Sequence, residues 1–324
     1  MISQTGPARE GAAQRVEYLD QFRGFTVTMM ILVNILAEFS IVPVWLKHAK
    51  VPGLITVPDF VIPAFLFVIG VSLDLAFTRS IAKYGPLRTT GRFIRRSLLL
   101  IGFGILGSVL LRHNIIREWG VLETLGGAGL VALPFMFLRP RWRPLYAVLL
   151  VGLYEVIARS GVRDWLATND SGHLGGIAGA LAWAGIVLLG SFAGNFIRTG
   201  NERGFRLSTA VIAVTGILAG LVLNLWLPAF KPLVTPAYLL SVTGAASGML
   251  LLFSLLKPRF LPFKVFGVNA LAIFMLHGIV LVTVMKLLPA SGSLPIVLMT
   301  LAGVYGLCWA VAGVLYRLRI FIRL

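Results

Sequence analysis

The sequence predicts an all-α polytopic membrane protein with about ten transmembrane helices, and three observations support this fold class. Hydrophobic residues make up 58% of the 324 residues and charged residues only 13%, whereas about a quarter of a soluble domain is charged. Several apolar runs approach the length of about 20 residues that a membrane-spanning helix needs. Lysine and arginine are concentrated in alternate loops, as expected for the cytoplasmic loops of a membrane protein.

Ten apolar runs are predicted as spans, and no loop between them is long enough for a soluble domain. The third and fifth runs are short, so an eleventh span is the alternative if a boundary is misplaced. We divide the chain into a cytoplasmic segment, residues 1–21, a transmembrane domain, residues 22–316, and a cytoplasmic tail, residues 317–324. The predicted spans are roughly 22–43, 57–78, 97–112, 121–138, 144–158, 175–197, 207–227, 236–256, 265–287 and 295–316.

The distribution of cations predicts that both termini are cytoplasmic. With that orientation, 21 of the 29 lysines and arginines fall in inside segments and 8 in outside segments. This asymmetry also explains the net charge of +17, because cytoplasmic loops collect lysine and arginine. No basic face separates from the apolar runs, so nucleic-acid binding is not expected.

Four polar residues near the outer face form the predicted functional cluster. Polar side chains within a span are costly and are therefore candidates for a site. Asn34 and Glu38 lie one helical turn apart on one face of the first span. Asp59 stands at the outer start of the second span, and His48 lies in the loop between the two spans.

Other polar residues have a structural interpretation beside the functional one. Asp74 is expected to pair with Arg79 near the inner end of the second span. Asn269 is equally compatible with bridging helices and with a site. His277 taken alone is more typical of a buried core histidine. The single cysteine, Cys308, allows no disulfide within the chain and no cysteine cluster for zinc, and no metal is predicted.

The predicted cluster is suited to base or nucleophilic catalysis. A neutral imidazole can take a proton from an attacking hydroxyl or amine, or accept an acyl group itself. A nearby carboxylate orients the ring and stabilises the imidazolium. An asparagine side chain can donate hydrogen bonds to a developing oxyanion. No Walker loop, dinucleotide-binding glycine motif or zinc motif is present.

Several motifs occur in a fixed order along nearly the whole chain. They are Leu19–Gly24 (LDQFRG), Met30–Asn34 (MILVN), His48-Ala49, Asp59–Ser72 (DFVIPAFLFVIGVS), Arg117–Leu122 (REWGVL), Lys231–Leu240 (KPLVTPAYLL) and Gly267–Leu271 (GVNAL). In sequence and order they resemble the heparan-α-glucosaminide N-acetyltransferase family and its bacterial relatives.

The resemblance implies a membrane acyltransferase that takes an acetyl group from cytosolic acetyl-CoA and delivers it to an amino sugar across the membrane. The catalytic histidine of that family maps onto His48, its asparagine onto Asn34 and its aspartate onto Asp59. Two family tryptophans are replaced here by Val51 and Val234. These departures leave the acceptor open.

These observations predict an acyltransferase-like domain in a bacterial cytoplasmic (inner) membrane. We expect His48 to act as base or acyl acceptor, Asp59 to orient it and Asn34 to contact the acyl group. The residues expected to bind substrate are Glu38, Arg117, Asn269 and His277. The residues expected to bind the CoA phosphates are Arg92, Arg95 and Arg96, for which topology and anionic lipids are the alternative explanation.

The expected partners are acyl-CoA, a sugar or glycan acceptor and membrane lipids, while a homodimer stays open. A second hypothesis is a transporter or flippase for a glycolipid or small anion, in which the same polar residues line a translocation path. A third is a non-catalytic scaffold, which a separation of more than about 10 Å between His48 and Asp59 would favour, because catalysis needs hydrogen-bond reach.

Overall fold

The computed structural model of the chain describes residues 16–112, 119–162, 165, 174–288 and 292–321. Within these ranges the regular secondary structure is entirely helical. The α-helices are α1 Glu17–Ala37, α2 Val61–Arg112, α3 Val121–Ala132, α4 Arg143–Ile157, α5 Gly176–Arg198, α6 Glu202–Asn224, α7 Pro236–Leu256, α8 Leu261–Val268, α9 Ala270–Met285 and α10 Leu294–Arg317.

Six helical segments among the described residues are long and apolar enough to cross a membrane, and a seventh results if α8 and α9 form one span bent by 92°. All ten predicted apolar runs overlap helices, but they do not form ten separate long helices. The first turns of α1 carry polar residues, and α3 and α4 have only 12 and 15 residues. Length and composition therefore identify fewer spans than the sequence predicted.

The largest departure from the predicted boundaries is α2, which covers both the second and third predicted spans. The basic segment between them, predicted as a loop, is helical on both sides of Gly85. Gly85 interrupts the helix with φ 76°, and Pro86 follows it. Glycine tolerates this left-handed conformation, and proline at the start of the next arm lacks the N–H that the break would leave unpaired.

Close backbone contacts hold the helices together where glycine faces a neighbouring helix. Gly24 of α1 lies against the backbone of Phe263 in α8, and Gly267 of α8 lies against the backbone of Asp20 in α1. Farther along the chain, Gly216 of α6 packs directly on Gly244 of α7. Small residues let helix backbones approach one another, which is how membrane helices gain packing energy.

Replacing Gly267 with alanine should destabilise the protein by about 1–3 kcal/mol, the usual cost of overpacking. A Cβ atom at this position would lie 1.8 Å from the carbonyl oxygen of Asp20, so α1 and α8 would have to move apart. Thermal unfolding in detergent micelles measures the effect. Gly278→Ala is the matched control, because within the described residues its added Cβ would meet no atom within 4 Å outside its own stretch of helix. Equal unfolding temperatures for the two variants would contradict this packing.

A buried charge cluster ties α2, α4 and α5 together. Asp74 Oδ1 lies 2.5 Å from Arg143 Nη1, and its Oδ2 lies 2.9 Å from Arg198 Nε. Arg143 also donates to the carbonyl oxygen of Ser191 at 3.1 Å. The sequence correctly predicted a structural ion pair for Asp74, but the predicted partner, Arg79, was wrong. The true partners come from distant helices, so proximity in sequence did not identify them.

Candidate functional site

The loop between α1 and α2 presents His48 and ends in a short 3-10 turn, Val57–Phe60, that fixes Asp59. The backbone N–H of Thr56 donates to Asp59 Oδ2 at 3.0 Å. The Thr56 hydroxyl lies 2.9 Å from the same oxygen and 2.6 Å from the carbonyl oxygen of Lys47, and these two acceptors compete for its proton. Tyr238 of α7 donates to the backbone oxygen of Asp59 at 2.9 Å. Asp59 is therefore held through its carboxylate by Thr56 and through its backbone oxygen by Tyr238.

The structure places His48 and Asp59 in direct contact. His48 Nδ1 lies 3.3 Å from Asp59 Oδ1. The Asp59 side chain is 1% exposed, whereas the His48 side chain is 48% exposed. A buried carboxylate behind a half-exposed imidazole is the arrangement in which an acid orients a base that still reaches solvent or substrate.

Lys231 completes this cluster, and its role was not predicted from the sequence. Its Nζ lies 3.0 Å from His48 Nδ1 and 3.3 Å from Asp59 Oδ1. Only 8% of its side chain is exposed. Burial lowers the pKa of the Lys231 amino group, and the neighbouring Asp59 carboxylate opposes that shift. The available sequence signal was its position at the head of the motif KPLVTPAYLL.

The loop that carries Lys231, between α6 and α7, is anchored from several directions. The hydroxyl of Tyr154 in α4 donates to the carbonyl oxygen of Leu233 at 2.7 Å. The backbone N–H of Gly175 donates to Pro232 O at 3.0 Å, and that of Gly53 donates to Ala229 O at 2.9 Å. Because the last of these bonds joins the two loops directly, Lys231 and His48 are held in a defined relation.

Asn34 belongs to a second polar pair, with His277 of α9. His277 Nδ1 bonds the carbonyl oxygen of Phe274, so Nδ1 is the protonated nitrogen and Nε2 is the acceptor. Asn34 Nδ2 then donates to His277 Nε2 at 3.0 Å. Asn34 forms no hydrogen bond with His48 or Asp59. Of the four residues in the predicted cluster, His48 and Asp59 contact each other, whereas Asn34 is hydrogen-bonded to His277 instead.

The remaining predicted substrate-binding residues do not join either pair. Glu38 is exposed at the end of α1. Asn269, at the bend between α8 and α9, is buried and donates to the carbonyl oxygen of Ile320 at 3.0 Å. This bond connects the bend to the segment that follows α10. Arg117 lies outside the residues that the structure describes.

The three arginines predicted to bind CoA phosphates are exposed on the second arm of α2, which is the part that follows Gly85. The guanidinium of Arg92 lies 3.8 Å from the ring centre of Tyr84. Arg95 lines a surface groove of about 450 Å³ whose other lining residues are mostly apolar. In the described part of the chain, no group of three His, Cys, Asp or Glu side chains is gathered so that it could hold a metal ion.

Comparisons with known proteins agree with the motifs. A family model described as "Heparan-alpha-glucosaminide N-acetyltransferase, catalytic" matches residues 15–227. The mouse protein named heparan-alpha-glucosaminide N-acetyltransferase is 35% identical over 146 residues, which are 41% of this chain and 21% of the mouse protein. The human protein of the same name is 36% identical over 140 residues, 39% of this chain and 20% of the human protein.

The aligned segment thus spans about a fifth of the length of either mammalian relative. The family model, in contrast, covers well over half of the 324 residues and includes His48 and Asp59. The chain therefore belongs to the family defined by the catalytic region of heparan-alpha-glucosaminide N-acetyltransferase.

Proposed function

We propose that this protein is a membrane acetyltransferase that moves an acetyl group from acetyl-CoA to the amine of an amino sugar or a related envelope glycan. The proposal is carried by one observation, the contact between half-exposed His48 and buried Asp59 at 3.3 Å. Membership in the family supplies the donor and the class of acceptor. The wide separation of these two residues that would have favoured the scaffold hypothesis is not found.

In the proposed reaction, the nitrogen of the acceptor amine attacks the thioester carbonyl while His48 takes a proton from that nitrogen. The carbonyl becomes an oxyanion, the C–S bond breaks and the proton passes from His48 to the departing CoA sulfur. Asp59 orients the imidazole and stabilises its charged form. In a two-step route, His48 would instead accept the acetyl group and then yield it to the amine.

Asn34 is proposed to contact the acetyl oxygen. Its amide carries a second N–H beside the one that bonds His277, and this group can stabilise the oxyanion if the two polar pairs face one path. Glu38 and Arg117 are proposed to bind the acceptor. Asn269 and His277 are also predicted to bind substrate, but their hydrogen bonds within the protein favour a positioning role around Asn34 and the α8–α9 bend.

The proposed topology places both termini in the cytoplasm and His48 on the opposite face of a bacterial inner membrane. It retains ten membrane-crossing segments, with the two arms of α2 and the shorter helices counted among them. Acetyl-CoA is a cytosolic donor in this scheme, and the exposed cations Arg92, Arg95 and Arg96 would meet its phosphates on the inner side. The acetyl group must then cross most of the membrane to reach His48.

Acetyl transfer by the purified protein tests the proposal. With acetyl-CoA labelled in the acetyl group and glucosamine as acceptor, we expect equal amounts of free CoA and labelled N-acetylglucosamine. A transporter or flippase would bind or move its solute and leave the thioester intact. Absence of thioester cleavage across a panel of amino sugars, with protein that retains its fold, would therefore overturn the proposal in favour of transport.

A further inference from the structure

Two groups of opposite character meet at a single nitrogen of His48. A ring nitrogen either carries one proton or offers one lone pair, so Nδ1 makes one strong hydrogen bond at a time. An ammonium group can only donate, and a carboxylate can only accept. Lys231 Nζ lies 3.0 Å from Nδ1, and Asp59 Oδ1 lies 3.3 Å from it. A hydrogen bond from Lys231 therefore requires the Nε2–H tautomer of His48, whereas a hydrogen bond to Asp59 requires the Nδ1–H tautomer.

The charge of Lys231 determines which of the two tautomers forms. When Lys231 is an ammonium ion, it donates to the Nδ1 lone pair, and the neutral ring must carry its proton on Nε2. In that form Nε2 cannot act as a base. When Lys231 is a neutral amine, Nδ1 can hold the proton and donate it to Asp59, which leaves a lone pair on Nε2. The shorter of the two contacts favours the first form at rest.

We propose that Lys231 is a positioning residue that selects the tautomer of His48 and so switches the ring between an inactive and a basic form. The inference rests on the proposed acetyltransferase function for its consequence in catalysis. The tautomer itself is argued from the contacts among Lys231, His48 and Asp59 and can be observed without substrate. Lys231 lies beyond residue 227, where the match to the family model ends.

The switching step is a balanced proton movement. Lys231 Nζ gives one proton to His48 Nδ1, and Nε2 releases its own proton to solvent water. A cationic lysine and a neutral imidazole thus become a neutral lysine, a neutral imidazole and one released proton. The 48% exposure of the His48 side chain allows this exchange with solvent. After the switch, Asp59 accepts a new hydrogen bond from Nδ1–H and keeps the one from the N–H of Thr56.

The surroundings of Lys231 fit this role. Its facing titratable groups in the described chain are His48 and Asp59, both from the loop between α1 and α2. Tyr238 of α7 and Tyr154 of α4 use their hydroxyl groups to hold backbone oxygens. Burial lowers the pKa of the amino group, so Lys231 becomes neutral at a lower pH than an exposed lysine does.

The test is ¹⁵N NMR of histidine-labelled protein in lipid bilayers, in which the chemical shifts of Nδ1 and Nε2 identify the tautomer. His48→Gln assigns the His48 signals. We expect the parent protein to change from the Nε2–H to the Nδ1–H form as pH rises. Lys231→Arg should keep the Nε2–H form throughout, because arginine stays cationic. Lys231→Met should show the Nδ1–H form wherever the ring is neutral.

Activity supplies a second readout with a direction that a merely structural role would not produce. The value of kcat/KM should rise with pH in the parent protein as Lys231 loses its proton. Lys231→Arg should remain about 10²-fold lower at the top of that rise, on the scale of lost base catalysis. Lys50→Met, in the exposed part of the His48 loop, is the matched control and should follow the parent.

The outcomes separate the two proposals. If Lys231→Met does not fold, the parent titration and Lys231→Arg still decide the matter. One unchanging His48 tautomer in the parent at every pH at which the ring is neutral, or the same pH response in Lys231→Arg, overturns the inference. Because the NMR measurement uses no substrate, a tautomer change without acetyl transfer would contradict only the proposed function.

Discussion

Replacing His48 with alanine is expected to lower acetyl transfer by about 10²–10⁴-fold, the range that a positioned base contributes. The protein should remain folded, because the side chain is half exposed and lies in a loop outside the buried core. The rate of N-acetylglucosamine formation measures the effect, and thermal unfolding in the same preparation establishes that the fold is kept.

Added imidazole provides a sharper version of this experiment. The space left by the ring is open to solvent, so free imidazole should restore part of the rate in His48→Ala. It should have no such effect on the parent protein. A rate for His48→Ala equal to that of the parent would remove His48 from the mechanism.

Asp59→Asn is the second large effect, and it should appear in both turnover and stability. We expect kcat to fall by up to about 10⁴-fold, the scale for loss of the orienting aspartate in a Ser-His-Asp triad. The change also leaves Lys231 buried without its counterion. Breaking a buried pair from one side costs about 3–5 kcal/mol, although a lysine that becomes neutral would reduce that cost.

The matched control for the stability arm is Glu202→Gln, which breaks an exposed ion pair with Arg206 at 3.3 Å. Exposed pairs contribute at most about 1 kcal/mol. Kinetics and thermal unfolding of both variants therefore distinguish the buried site from a surface charge. An Asp59→Asn protein with the kcat of the parent would contradict the orienting role.

How far the site could be predicted depends on the separation of its residues along the chain. His48 and Asp59 are 11 residues apart, and the capping interactions of Thr56 are local, so one loop determines their contact. Lys231 is 183 residues from His48. Its approach depends on how the α6–α7 loop packs on the α1–α2 loop, and neither loop alone carries that information.

The same limit explains the division of the predicted cluster. Asn34 and Glu38 share a face of α1, but a helical face can meet either a loop or another helix. In the structure, Asn34 is hydrogen-bonded to His277, which is 243 residues away along the chain. Asp74 is a second example, because its ion-pair partners Arg143 and Arg198 lie on other helices and the spacing of charges near Asp74 does not identify them.

The helical class and the positions of the apolar runs were predictable because a run of about 20 apolar residues indicates a membrane helix and also its place in the sequence. The continuity of α2 was not. A run of basic residues is typical of a cytoplasmic loop, but lysine and arginine also form stable helices, and here only Gly85 interrupts the helix. A run of basic residues therefore does not by itself predict a loop.

The most direct measurement of the central claim is acetyl transfer across a sealed membrane. Vesicles containing the purified protein would enclose labelled acetyl-CoA, with glucosamine supplied outside, and vesicles with His48→Ala would serve as the control. The proposed mechanism predicts free CoA inside and an equal amount of labelled N-acetylglucosamine outside, from the molecules that have the productive orientation. Product that forms only when donor and acceptor are enclosed on the same side, or equal product with His48→Ala, would contradict it.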